Sequence, residues 1–319
     1  MGPHPAVAAV RQAVRVALAP VEGPVFVALS GGADSTALAA ALAFECSRSA
    51  RPAGAITVDH GLQPGSATQA ARAAALAYEL GLDPVHLVRV DVGTAGGPEG
   101  AARTARYAAI DAVRADAAVL LGHTRDDQAE TVLLGLGRGS GPRSIAGMRA
   151  RDGGYLRPLL DLSRETAAAA CSALGLPVWT DPHNDDPHFR RVRLRREVLP
   201  LLEDVLGGGV GAALARTGQL VREDLDALDE LAAGVTAHAA GTGDRSLAVE
   251  TLHSHPRAIR TRVLRAWAAD CGVAALTAVH LGELDALVAD WHGQGPADLP
   301  GGFSAHRLSG RLHVRPRAH

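Results

Sequence analysis

Short apolar runs alternate with amphipathic segments through the N-terminal two thirds of the chain. The runs predict buried strands, and they lie at residues 25–29, 54–58, 85–90, 117–121 and 177–180. Between them, apolar residues recur at the three- and four-residue spacing of amphipathic helices. One predicted helix follows Asp34, and the others cover about residues 66–80, 99–114, 125–136, 163–174 and 190–202. The alternation predicts an α/β fold, a doubly wound parallel sheet covered on both faces.

The pattern changes after the three glycines Gly207, Gly208 and Gly209, which form a flexible break. Beyond them the spacing predicts helices at residues 210–238, 256–271 and 277–291, and then a tight hairpin at 307–312. We therefore expect two domains. The α/β domain covers residues 1–206, and a smaller, mainly helical domain covers residues 210–319.

Composition narrows the class of protein. Of the 319 residues, 47% are hydrophobic and 21% charged, as in soluble globular proteins. No stretch is long and apolar enough for a membrane span, and the N-terminus lacks a signal peptide, so we expect a cytoplasmic protein. The net charge of -2 means that a nucleic-acid partner requires a local basic patch. Cys46, Cys171 and Cys271 form no CxxC pair, which argues against a disulfide framework, a zinc site or an iron–sulfur cluster.

The stretch Ser30-Gly31-Gly32-Ala33-Asp34-Ser35 joins the first strand to the next helix. Its glycines allow close approach to a ligand, and we expect the helix N-cap at Ser35 or Thr36. Free amides at such a helix N-terminus bind phosphate. The loop is not a Walker motif, because no Lys follows the glycines. Asp34 would repel phosphate unless a divalent metal ion lay between them.

Acidic residues open the helix that follows the fourth strand. Asp126, Asp127 and Glu130 come just after Gly122-His123. Ligands of parallel sheets bind beyond the carboxyl ends of the strands, so we expect these residues near the Ser30 loop and Asp59-His60. Acids in a first helical turn also complement the helix dipole by ~0.3–1 kcal/mol each, which accounts for one or two of them. A cluster at this edge suits Mg²⁺ or a substrate ammonium group.

Arginines form two further groups. Arg103, Arg106 and Tyr107 lie on one predicted helix, where Arg103 has Glu99 four residues before it. A surface ion pair between those two and contact with a phosphate or base are equally compatible with this spacing. Five arginines also lie between positions 190 and 196. Such a run often marks a solvated helix face, but its single sign favours a phosphate partner, either a nucleotide or RNA.

In this order, the groups resemble the tRNA(Ile)-lysidine synthases, which belong to the PP-loop ATP pyrophosphatases. The resemblance covers about residues 22–205. It rests on Ser30–Ser35, Val58–Leu62, the Arg103/Arg106/Tyr107 helix, Asp126–Thr131 with Leu136–Gly141, and Asp181–Arg195. It implies a ligase that uses ATP and L-lysine to modify the wobble cytidine of tRNA(Ile) with a CAU anticodon. By the resemblance, the cytidine C2 oxygen attacks the ATP α-phosphate, pyrophosphate leaves, and the lysine ε-amine displaces AMP. The lysidine formed changes the charging of the tRNA from Met to Ile.

The resemblance also implies roles for individual residues. Those implied to bind ATP are Ser30, Gly31, Gly32, Ala33, Asp34, Ser35, Val58, His60, Gly122 and His123. Asp34 would carry Mg²⁺, and Asp126, Asp127 and Glu130 would bind lysine. The implied catalytic residues are Asp34, Arg106, Asp127 and Arg195. The implied tRNA contacts are Arg103, Arg138, Arg190, Arg191 and Arg193.

The sequence departs from the family pattern at Val192, where the family often has Asn. The region from Val210 onward resembles the family's tRNA-binding domain more loosely, and we expect it to lack the further C-terminal domain of longer members. Members are often dimers, so a homodimer is a prediction. Three alternatives stay open at this point. They are a tRNA thiolase, which needs paired cysteines, an amidating synthetase, which needs an ammonia source, and a non-catalytic nucleotide-binding module.

Overall fold

The computed structural model describes residues 2–61, 63, 65–93, 97–139, 141–241 and 245–317. The chain forms two compact units, one ending at Leu220 and the other beginning at Val221. This division falls inside a single helix, α10 (Val210–Ala239), and not at Gly207–Gly209. The domain limits 1–206 and 210–319 stay a prediction. Among the described residues, no single helix is long and apolar enough to cross a membrane. One bent helical pair, Arg190–Val205 with Val210–Ala239, passes that test by length and composition only.

The first unit is built on a six-stranded sheet. Its strands are β1 (Val25–Ala28), β2 (Ala53–Asp59), β3 (Val85–Arg89), β4 (Ala118–Leu120), β5 (Arg151–Asp152) and β6 (Tyr155–Leu156). The order across the sheet is β3-β2-β1-β4-β6-β5, and each pairing is parallel except that of β5 with β6. Strand order reverses between β1 and β4. Ligands of open α/β sheets bind beside such a switch point.

Helices cover both faces of this sheet, as the alternating pattern predicts. They are α1 (Pro5–Leu18), α2 (Ala33–Ser49), α3 (Ser66–Glu79), α4 (Gly97–Arg114), α5 (Arg125–Arg138), α6 (Pro142–Ile145) and α7 (Arg164–Ala173). Successive side chains of β1 point to opposite faces. Val25 and Val27 therefore join the core under α1, α2 and α7, whereas Phe26 joins the core that includes Ile110 of α4. The doubly wound parallel α/β fold is confirmed.

The strand predicted at 177–180 is wrong, because that segment forms no strand. The sheet position beside β4 is taken by β6, which is only two residues long and too short to show a pattern. The segment instead runs along the Ser30 loop, where the Trp179 N–H donates to the Gly31 carbonyl at 2.9 Å. The chain then continues through the 3₁₀ turn Pro182–Asp185, α8 (Arg190–Arg193), a π-helical stretch at Leu194–Val198, and α9 (Leu199–Val205).

The second unit is mostly helical, as expected, but its sheet is larger than the predicted hairpin. The remaining helices are α11 (Val249–His253), α12 (Arg257–Asp270) and α13 (Ala278–Ala289). The strands are β7 (Leu247–Ala248), β8 (Ala297–Leu299), β9 (Phe303–Leu308) and β10 (Arg311–Pro316), in the order β7-β10-β9-β8. The β9–β10 hairpin is confirmed, whereas β7 and β8 were not predicted.

Candidate active site

The loop after β1 forms the N-terminus of α2. Gly31 has a φ of +87°, which favours glycine. Gly32 is the N-cap, so the cap predicted at Ser35 or Thr36 is wrong by three residues or more. Ser35 lies in the first turn and ties the loop together. Its hydroxyl accepts from the Ser30 N–H at 3.3 Å and donates to the Gly32 carbonyl at 3.0 Å. The first-turn amides have no carbonyl acceptor within the helix, which leaves them available to an anion.

Gly122, just beyond the end of β4, packs directly against this loop. A Cβ atom built at Gly122 would lie 3.0 Å from the Ser35 nitrogen and 3.1 Å from the Asp34 carbonyl carbon. Both neighbours are backbone atoms, which cannot rotate away as a flexible side chain can. The glycine therefore brings the second motif of the sequence against the first.

We expect Gly122→Ala to lower ATP-dependent turnover by about tenfold or more, because displacements well under 1 Å already misplace reacting groups. The measurement is pyrophosphate release at several ATP concentrations. Gly234→Ala in α10 is the control, since a Cβ there meets nothing within 4 Å. Equal turnover by the two variants would contradict the close-approach role.

Two histidines lie at the same edge of the sheet with unsatisfied ring nitrogens. The Nδ1 atoms of His60 and His123 are buried and have no hydrogen-bond partner. Burial, together with nearby Arg106, lowers the pKa of His60. Burial lowers the pKa of His123 to about 3, and Arg106, Arg157 and Arg103 add to the effect while Asp127 opposes it. Both imidazoles are therefore neutral near pH 7, and their ring nitrogens are free to bond to a polar ligand.

Carboxylates from two separate segments, the Ser30 loop with α2 and the first turns of α5, converge on one arginine that the sequence analysis did not identify. This residue is Arg164, the first residue of α7, and its Nε lies 3.4 Å from Asp34 Oδ2. Its Nη2 lies 2.8 Å from Asp127 Oδ1 and 3.8 Å from Glu130 Oε1. Its main-chain N–H donates to Asp126 Oδ2 at 2.9 Å. The structure thus brings the Ser30 loop and the acids of α5 together, as predicted, around Arg164.

A second arginine contacts the same oxygen of Glu130. Arg195 Nε donates to Glu130 Oε1 at 2.8 Å, and Arg195 Nη2 lies 3.9 Å from Asp127 Oδ1. Arg191 Nη1 is 4.0 Å from Glu130 Oε2. The Glu130 side chain is 0% exposed, so these guanidinium groups offset a charge that is fully removed from water.

Two carboxylate oxygens of this cluster nevertheless lack a hydrogen bond. Asp34 Oδ1 and Glu130 Oε2 are buried and accept no hydrogen bond. Burial raises the pKa of Asp34 to about 6, despite the opposing charge of Arg164. Burial also raises the pKa of Glu130, against the hydrogen bond from Arg195. Burial alone would also raise the pKa of Asp127, but Arg164 and the Thr124 N–H hold that pKa below its usual range. Buried carboxylate oxygens without a hydrogen bond are costly, and both are suited to accept from a cationic ligand.

Arg106 is a largely enclosed cation without a carboxylate partner among the described side chains. Burial lowers its pKa, and the like charges of Arg103 and Arg191 act in the same direction. Arg103 lies against the Tyr107 ring at 4.9 Å and donates to its hydroxyl at 3.2 Å. The side chain of Glu99, which the spacing allows as an ion-pair partner of Arg103, lies outside the described residues. An enclosed guanidinium that pairs with none of the described carboxylates is suited to a phosphate group.

The arginines at positions 190–196 are partly neutralised by acidic side chains, which the run itself does not indicate. Arg193 pairs with Glu197 at 2.9 Å, and Arg196 pairs with Asp185 at 2.7 Å. Arg138 and Arg190 are exposed. Val192, the departure from the family pattern, is buried in the core.

Beside α4 lies a cavity of about 430 Å³ whose lining includes Arg103, Tyr107 and Arg157.

Known proteins match both parts of the chain. Residues 7–202 match a PP-loop domain, and residues 247–313 match a TilS substrate binding domain. The tRNA(Ile)-lysidine synthase of Thermobifida fusca is 55% identical, over 98% of each chain. That of Streptomyces coelicolor is 51% identical, over 99% of each chain. In structure, a U34-tRNA thiolase with its [4Fe-4S] cluster from Methanococcus maripaludis superposes with a TM-score of 0.54 at 19% identity. The superposition covers 68% of this chain and 80% of the thiolase chain. That likeness supports the fold alone.

Proposed function

The chain belongs to the tRNA(Ile)-lysidine synthase family, and we propose that its site divides the reaction between an ATP subsite and an adjacent lysine subsite. The protein binds ATP and forms lysidine in tRNA(Ile). The observation that carries the proposal is that two buried carboxylate oxygens accept no hydrogen bond, one on Asp34 beside the amide-rich loop and one on Glu130 beside Asp127.

The ATP subsite consists of the Ser30–Ser35 loop with Val58, His60, Gly122 and His123 around it. The loop amides would hold the β- and γ-phosphates that leave as pyrophosphate. Arg106 would stabilise negative charge at the α-phosphate as the cytidine oxygen attacks, because no carboxylate among the described side chains pairs with it and burial disfavours its charge. Neutral His60 and His123 would contribute ring nitrogens as hydrogen-bonding groups.

Magnesium fits this subsite through Asp34. Among the described residues, no group of three or more His, Cys, Asp or Glu could hold a metal ion by itself. Mg²⁺ is commonly bound by only one or two carboxylates together with substrate phosphates, however. Asp34 offers one such carboxylate oxygen, buried and unpaired. When bound, the ion would neutralise phosphate charge.

The lysine subsite consists of Asp127 and Glu130, with Asp126 beside them. Glu130 Oε2 would accept from the lysine ammonium group, since its other oxygen is already bonded to Arg195. Arg195, predicted to be catalytic, would then act chiefly by holding Glu130. Asp126 is bonded to the Arg164 N–H, so its part in lysine binding would be indirect.

RNA contacts complete the proposal. Arg103, Arg138, Arg190, Arg191 and Arg193 are the proposed tRNA contacts, and the CAU anticodon is the proposed recognition element. The cavity beside Arg103 and Arg157 has room for one nucleotide of the anticodon loop. A cytoplasmic location and a homodimer are proposed on the same family grounds.

The test is ATP-dependent incorporation of labelled L-lysine into tRNA(Ile) with a CAU anticodon. We expect incorporation into this tRNA and none into elongator tRNA(Met), which serves as the control. Equal labelling of both tRNAs would contradict the proposed specificity. Pyrophosphate release without lysine incorporation would contradict the lysine subsite but leave the ATP subsite standing.

A further inference from the structure

Arg164 contacts the carboxylates of both proposed subsites at once. Asp34 belongs to the ATP subsite, whereas Asp127 and Glu130 belong to the lysine subsite, and all three lie within 3.8 Å of the guanidinium nitrogens. None of these three acids is close to Arg164 in sequence. The contact therefore depends on the fold, which brings the first turns of α2, α5 and α7 together.

The position of Arg164 is itself fixed by the site. It is the first residue of α7, whose N-cap Ser163 accepts from the Thr166 N–H at 3.2 Å. Its own N–H is held by Asp126, the neighbour of Asp127 on α5. The backbone and the side chain of Arg164 are thus both bonded to α5. A side chain anchored at two points loses little further freedom when it orients a partner.

The contacts leave a defined set of oxygens for ligands. Arg164 approaches Asp34 through Oδ2, and Arg164 and Arg195 both approach Glu130 through Oε1. The opposite oxygens, Asp34 Oδ1 and Glu130 Oε2, have no hydrogen-bond partner, although Arg191 Nη1 lies 4.0 Å from Glu130 Oε2. A planar guanidinium has several donors in a fixed fork and can hold separate carboxylates in one arrangement, whereas a lysine ammonium is a point charge on a flexible stem.

We propose that Arg164 is a positioning residue, which holds Asp34 and Asp127 and, together with Arg195, Glu130, so that each subsite presents to its ligand one carboxylate oxygen without a hydrogen-bond partner. The inference rests on the proposed lysine subsite. Its largest effect is on lysine, because the contact with Asp127 is the shortest of the three and that with Asp34 is longer.

The test compares the KM values for lysine and ATP in Arg164→Met and Arg164→Lys. We expect Arg164→Met to raise the KM for lysine at least about tenfold, as loss of a charged hydrogen bond does, with the KM for ATP within about threefold. Arg164→Lys keeps the charge but lacks the fork, so its KM for lysine should stay raised several-fold. Full recovery by Arg164→Lys would overturn the positioning role.

Arg15→Met is the matched control for a purely structural effect. Arg15 donates to both oxygens of the buried Glu45 at 2.8 and 2.9 Å, so its loss also leaves a buried acid unpaired. We expect it to lower the melting temperature without changing either KM. A lysine KM in Arg164→Met equal to that of the unaltered chain would overturn the inference, as would parallel increases in both KM values. If the unaltered chain incorporates no lysine, the proposed function itself fails, and the inference fails with it.

Discussion

Replacing Asp34 by Asn is expected to lower pyrophosphate release by roughly 10³-fold, the equivalent of about 4 kcal/mol of lost transition-state stabilisation. The amide preserves the shape of the side chain but removes its negative charge. The only carboxylate that lies within the phosphate loop is then lost, and with it the proposed metal ligand. The measurement is pyrophosphate release with saturating tRNA, followed over a range of Mg²⁺ concentrations.

Stability should not fall with activity in this variant. Asp34 carries one buried oxygen without a hydrogen-bond partner, and burial raises its pKa to about 6, so burial disfavours its charged form. A neutral side chain removes that cost, although it also weakens the 3.4 Å contact with Arg164. We expect an unchanged or slightly higher melting temperature. A lower melting temperature together with normal pyrophosphate release would contradict both the functional and the energetic interpretation.

The features that the sequence predicts well are those encoded within a few neighbouring residues. The run Val25–Leu29 followed by two glycines predicts a strand, a loop and a helix, and the structure contains them in that order. Gly122 and the acids of α5 follow a strand in the same way. The parallel-sheet rule then places both motifs at one edge, since carboxyl ends of parallel strands meet there. Local chemistry and one topological rule were sufficient for this half of the site.

Arg164 was missed because nothing local distinguishes it. It is a single arginine at the start of an Ala-rich helix, a position that carries no functional signal of its own. Its role depends on where α7 docks, and β6, the strand that leads towards that helix, is too short to be read as a strand. The sequence likewise does not indicate the partner of Arg195, because that partner, Glu130, is 65 residues away. Contacts between distant segments need the fold.

Replacing Glu130 by Gln is expected to separate the two half-reactions. The side chain is fully buried, so no water replaces the lost charge opposite the lysine ammonium group. We expect lysine incorporation to fall by roughly 100-fold, while lysine-independent release of pyrophosphate stays within a few-fold of the unaltered chain. Labelled lysine and labelled ATP followed in parallel reactions measure both steps.

Structural damage is the competing explanation for this result, because Gln leaves Arg195 without its carboxylate. Arg195 is 30% exposed and burial already disfavours the charged form of Glu130, so we expect a lower melting temperature, with a loss well below the roughly 3–5 kcal/mol of a fully buried pair. Glu45→Gln breaks the comparable pair with Arg15 in the same unit. If Glu130 only stabilised the fold, the two variants would lose stability together and affect both half-reactions alike. A selective loss of lysine incorporation in Glu130→Gln alone therefore assigns the carboxylate to the lysine subsite.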